Sequence, residues 1–300
     1  MKDMIPILLM GSLFVLIHGL GLLVIMPFEA AGLGVFENPN DPLNVVYFVL
    51  SLVAITAVLL FIAKFWKKRV VQAIVLGSIG YVTFFVFYSF LAMIIWDVLT
   101  LVVSFVAVAV VITLLIKYPE WYVVDVCGVL LGLGSIAMLG ISLSISLVVV
   151  LLVGLAVYDA VSVYKTKHMI DLADVVLDLR LPVMLVIPKK KEYSLIKDTK
   201  SLKEKLDGEE ERAAFFMGLG DVVMPGILVA STFYNIADAG LLVALSVMVG
   251  TLVGFAVLVV FLVRGKPQAG LPCLCGGAIL GYIVSSYLLF GRLVGFSLSF

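Results

Sequence analysis

Nine long apolar runs separated by short polar stretches make up most of this 300-residue chain. A helix needs roughly 20 apolar residues, at 1.5 Å rise each, to cross a bilayer. On that measure the runs at 4–28, 45–63, 70–96, 98–116, 121–139, 143–164, 213–237, 241–263 and 271–290 each predict a membrane span. Spans three and four meet at Asp97, and spans five and six meet near Gly140, so tight turns are expected there. The first run, about 25 residues long, exceeds the ~7–15 residues of a signal-peptide core, so it is expected to stay in the mature protein. The expectation is an all-α polytopic membrane protein in three parts: six helices over 1–164, a polar loop over 165–212, and three helices over 213–300.

Charge sharpens the count. Hydrophobic residues are 63% of the chain and charged residues 13%, where a soluble domain carries roughly 25%. With the N-terminus placed in the cytoplasm, every Lys and Arg except Arg292 falls on the inner side, including all those of the 165–212 loop. The outer turns hold Glu29, Glu37, Asp41, Asp97 and Asp238 instead. Sorting of this kind predicts nine spans, N-terminus and loop inside, C-terminus outside. Net charge is zero, so no basic surface suits nucleic acid. The lipid bilayer is the expected surrounding, and both a monomer and a homo-oligomer remain open.

A carboxyl inside a span costs at least ~2.5–3.5 kcal/mol on insertion scales and calls for a functional reason. Asp125 lies four residues into its span and reads as structural. Asp159 lies six residues before Lys165, and Asp221 nine residues after Arg212, which places them ~9 and ~13 Å from the same membrane face if both stretches are helical. Spans six and seven run in opposite directions, so packing side by side would bring these carboxyls together. Neither span holds a basic residue, and two such carboxyls share a proton. In hydrolysis one would activate water while the protonated partner polarises a carbonyl. The same spacing equally suits a proton relay in a transporter.

The flanking residues add detail. Tyr158 precedes Asp159, and Gly218-Leu219-Gly220 precede Asp221, where missing side chains let another backbone approach. Pro225 removes the N–H that would bond the Asp221 carbonyl, and so bends the helix. Ala269-Gly270-Leu271-Pro272 opens the ninth span. Tyr-Asp, Gly-Leu-Gly-Asp and the Leu-Pro element, in this order over nine spans, resemble the presenilin and signal peptide peptidase family of GxGD intramembrane aspartyl proteases. The resemblance covers nearly the whole chain and looks most like a microbial, archaeal-type homologue. It implies Asp159 and Asp221 as the catalytic pair, with Tyr158, Gly218, Leu219, Gly220, Ala269, Gly270, Leu271 and Pro272 supporting substrate and site. The family's third motif is Pro-Ala-Leu before proline. Here Leu271 and Pro272 match, while Ala269 and Gly270 depart. No metal or cofactor is implied. The expected partners are transmembrane proteins or peptides, and a cytoplasmic 165–212 loop favours the presenilin orientation, with substrate N-termini outside.

Weaker signals remain. Leu181 to Pro188, fenced by prolines, reads either as a loop anchored by a hydrophobic plug or as an edge strand on which extended substrate could pair, with a second strand near 212–217. The stretch 197–212 carries both signs of charge and is expected to be solvated and mobile. His18 has no serine partner motif and reads as packing, as does the aromatic cluster from Tyr81 to Phe90. Cys127, Cys273 and Cys275 show no metal-ligand spacing. The competing functions are a prepilin or preflagellin peptidase, which has fewer spans, and a carboxylate-gated transporter or ion leak channel.

Overall fold

The computed structural model describes residues 4–65, 68–163, 184–189, 193–195, 214–263 and 269–296. Among them are nine helices: α1 (Met4–Ala30), α2 (Leu43–Phe65), α3 (Lys68–Leu91), α4 (Asp97–Lys117), α5 (Trp121–Ser142), α6 (Ile145–Val161), α7 (Leu219–Asn235), α8 (Gly240–Val263) and α9 (Gly270–Phe290). Strands β1 (Met184–Pro188) and β2 (Ala214–Gly218) form one antiparallel pair, with Val186 opposite Phe216. By length and composition α1, α3, α4, α5, α8 and α9 are long and apolar enough to cross a membrane, while α6 and α7 have 17 residues each. The 197–212 stretch lies outside the described residues.

Three expected boundaries are corrected. Span three stops at Leu91, because the N–H groups of Ile94 and Ile95 bond back to the Leu91 carbonyl and close a turn. The residues of that turn are apolar, so hydropathy reads straight through it. Gly140 is no turn. It sits inside α5, where its bare Cα faces Ala230 of α7, and the chain turns at Leu143 and Ser144. Span seven begins as strand: residues 214–218 pair with β1, and the helix starts at Leu219. Asp221 therefore stands in the first turn of α7 rather than two turns into a helix.

The helix that carries Asp221 is central. It touches α1, α5, α6, α8 and α9, and a run from Pro225 to Thr232 along it is buried without a break. The α3–α4 pair lies to one side, where Phe84 and Phe105 meet with ring centroids 4.8 Å apart. That contact fits the packing role read for the aromatic cluster. Outward faces carry exposed Leu8, Val53, Phe105, Val110 and Leu288, as lipid-facing surfaces do. Lipid is as apolar as these side chains, so helix association here rests on close packing and on polar contacts between helices. The α8–α9 contact shows the first. Gly250 and Gly254 face Gly277 and Cys273, and a Cβ on Gly250, Gly254 or Gly277 would overlap the opposing backbone.

Candidate active site

Helix α9 starts at Gly270, with Ala269 as N-cap in extended conformation and no side-chain cap of its own. The first N–H groups of any helix lack partners within it. Pro272 has no N–H to leave unpaired, which suits a first-turn position. The N–H of Leu271 donates to Asp159 Oδ2 at 3.1 Å, and the Gly270 N–H also bonds this carboxyl. A carboxylate from α6 thus caps the N-terminus of α9, where the aligned peptide dipoles favour negative charge. Asp159 is 3% exposed, so this contact is made away from solvent.

Asp221 reaches the same point from another side. Gly218 is the N-cap of α7, and Asp221 is its third helical residue. A carboxylate here points back over the helix start, the geometry used by acids in capping boxes. A Cβ on Gly218 would stand 3.4 Å from Asp221 Oδ2, and one on Gly270 only 3.2 Å away. Glycine at both places leaves the carboxyl room between the two backbones. Asp159 and Asp221 thus border two consecutive residues, Leu271 and Gly270, at the start of α9. Gly220, beside Asp221, opens on a space with no atom within 4 Å of a Cβ placed there.

Gly218, Asp221, Asp159, Gly270 and Leu271 are therefore brought together. Ala269 is buried at the helix start, Pro272 is half-buried in the first turn, and Leu219 packs inward against Gly132 of α5. Tyr158 is 69% exposed, on the outer face of α6. Two neighbours that the sequence assigns no place at the site stand beside it. Cys275 is buried one helical turn beyond Leu271 on the helix whose first N–H groups bond Asp159. Its spacing of four from Leu271 placed it on the same helix face. His18 is fully buried, and its Nε2 donates to the Val222 carbonyl at 2.9 Å, one residue past Asp221. Gly226 lets the ring lie against α7, beside the ladder opened by Pro225. A polar side chain in a membrane span is itself the signal that marked His18.

The β1 edge is not available at its centre for an incoming strand. One side of β1 pairs with β2, and on the other the Val186 N–H donates to Asp125 Oδ1 at 2.7 Å. Residues 181–183 of the expected strand lie outside the described residues.

The sequence matches the family described as signal-peptide peptidase, presenilin aspartyl protease over residues 11–292. A crystal structure of a presenilin family intramembrane aspartate protease in space group C222 superposes with a TM-score of 0.73 at 34% identity, covering 94% of this chain and 99% of that one. Another, in space group P2, gives a TM-score of 0.71 at 35% identity, covering 95% and 99%. No curated protein matches the sequence. With the family pattern running through nearly all of its length and the fold shared with a presenilin family protease, the chain belongs to the signal-peptide peptidase and presenilin family of intramembrane aspartyl proteases.

Proposed function

We propose that this enzyme hydrolyses peptide bonds inside transmembrane segments with Asp159 and Asp221 as its catalytic pair. The observation that carries the reading is the convergence of three chain segments on the two carboxyls. Leu271 N–H bonds Asp159, while at Gly270, the preceding residue, a Cβ would stand 3.2 Å from Asp221 Oδ2. A relay in a transporter needs no such clasp from a third helix. With one proton shared between the pair, the ionised carboxylate takes a proton from water as its oxygen attacks the scissile carbonyl. The protonated partner gives its proton to the carbonyl oxygen. On collapse the C–N bond breaks, the first carboxyl gives its proton to the leaving amine, and a hydroxyl of the tetrahedral intermediate returns a proton to the partner, which restores the pair. Carbonyls in a helix are already hydrogen-bonded, so the substrate must unwind before it is cut. The open space beside Gly220 suits an extended backbone next to Asp221.

The positive-inside pattern supports a cytoplasmic N-terminus and 165–212 loop, with the C-terminus outside. Cysteine at exposed Lys117 should then react with impermeant reagents from the cytoplasmic side, and cysteine at exposed Asp238 from the outer side. The reverse pattern would invert the assignment. The function itself is tested by incubating purified protein with a single-span peptide and weighing the products. Two fragments whose junction lies within the apolar stretch support the proposal. An intact peptide beside proton-driven uptake in vesicles would favour the transporter.

A further inference from the structure

Asp125 is 8% exposed within α5, and its described hydrogen bond is the one from the Val186 N–H of β1. Antiparallel ladders alternate, so with Val186 opposite Phe216 and its N–H turned toward α5, the β2-facing bonds fall to Leu185 and Ile187. Val186 is 1% exposed, and a buried backbone N–H without an acceptor is unfavourable. Asp125 supplies that acceptor. Five residues earlier, Glu120 accepts from the Ser194 hydroxyl at 2.7 Å and from the Leu195 N–H at 3.1 Å, so the chain beyond β1 is held by the same end of α5. β1 in turn pairs with β2 along its whole length. The last residue of β2 is Gly218, which caps α7 and whose missing side chain leaves room for the Asp221 carboxyl.

We infer that Asp125 is a positioning residue for the catalytic pair: by accepting the Val186 N–H it fixes the β1–β2 ribbon on α5, and the ribbon sets where α7 begins and where Asp221 stands. This rests on the two-aspartate reading above. An apolar side chain would suit a membrane span better than a carboxyl, so a residue kept only for packing would not be acidic.

The test uses full-length protein in lipid nanodiscs, with Asp125→Leu, Asp125→Asn and Asp221→Asn made in parallel. Leucine keeps the same branching at Cγ and has no acceptor, whereas asparagine keeps an acceptor oxygen and loses the charge. Asp125→Leu is expected to lower kcat about tenfold for a single-span peptide and a short peptide alike, with KM within about twofold. It should also speed hydrogen exchange at Val186, in protein that remains folded. Asp125→Asn is expected to stay within about threefold of wild type in kcat and to keep Val186 protected. Wild-type kcat or a protected Val186 in Asp125→Leu would overturn the inference, and so would an equal loss of kcat in both variants. If Asp125→Leu does not fold, a large loss in well-folded Asp125→Asn overturns it, and near-normal turnover with Val186 protected upholds it. Cleavage by Asp221→Asn would instead sink the two-aspartate reading, and Val186 exchange would still decide whether Asp125 holds the ribbon.

Discussion

The α8–α9 and α3–α4 interfaces are built from opposite materials. Helices α8 and α9 meet backbone on backbone, through Gly250 and Gly254 on one side and Gly277 and Gly281 on the other, at the four-residue spacing that lets membrane helices touch. Helices α3 and α4 meet through side chains, with Phe84 of α3 tilted against Phe105 of α4 and with Val108 and Ile112 of α4 reaching over Gly80. A ring can turn or be trimmed and its neighbours refill the space, but two touching backbones have no slack. The rigid interface fixes α9, whose first turn holds Asp159 and borders Asp221. The tolerant one holds a pair that touches neither α6 nor α7 with any substantial contact among the described residues.

The contrast predicts a ranking of damage. Asp159→Asn and Asp221→Asn should each lower cleavage by ~10²–10⁴-fold, the usual share of a positioned acid or base, with unfolding temperature unchanged. Leu271→Asp should come next, at about a hundredfold, since it adds a third carboxyl beside the pair at a half-buried position. Full activity in that variant would remove the first turn of α9 from the site. Gly277→Leu should destabilise by about 1–3 kcal/mol through overpacking and cost roughly tenfold in rate, measured as unfolding temperature and kcat on one preparation. Phe84→Leu should change both by less than about threefold. If Phe84→Leu proves as harmful as Gly277→Leu, the contrast between the interfaces fails.

What the sequence disclosed follows from how far each signal reaches. Hydropathy located the spans, because lipid acts on each residue separately. It could not end α3, since Ala92 to Trp96 are mostly apolar whether they lie in a helix or in a turn. Nor could it start α7, since Ala214 to Met217 suit a strand as well as a span, and pairing with β1 decides. The carboxyls stood out because charge within apolar runs is rare. Their shared neighbour Gly270 could be located only through the family resemblance, being 49 residues from Asp221 and 111 from Asp159 in sequence. Asp125 reads as structural from its place four residues into a span, and its bond is not legible there because the acceptor it provides serves a strand 61 residues away. The same limit hid His18, whose bond to Val222 spans 204 residues. No local periodicity carries such contacts.

The central claim is that Asp159 and Asp221 work as one titrating pair, and the pH dependence of kcat for a short peptide tests it most directly. On the acid side the rate should fall as the water-activating carboxylate takes up a proton. On the alkaline side it should fall as the partner loses the proton it gives to the carbonyl oxygen. The profile expected is a bell whose two limbs belong to the pair rather than to either residue. A rate that stays level from acid to mildly alkaline pH, in protein shown to remain folded throughout, would contradict the shared-proton mechanism.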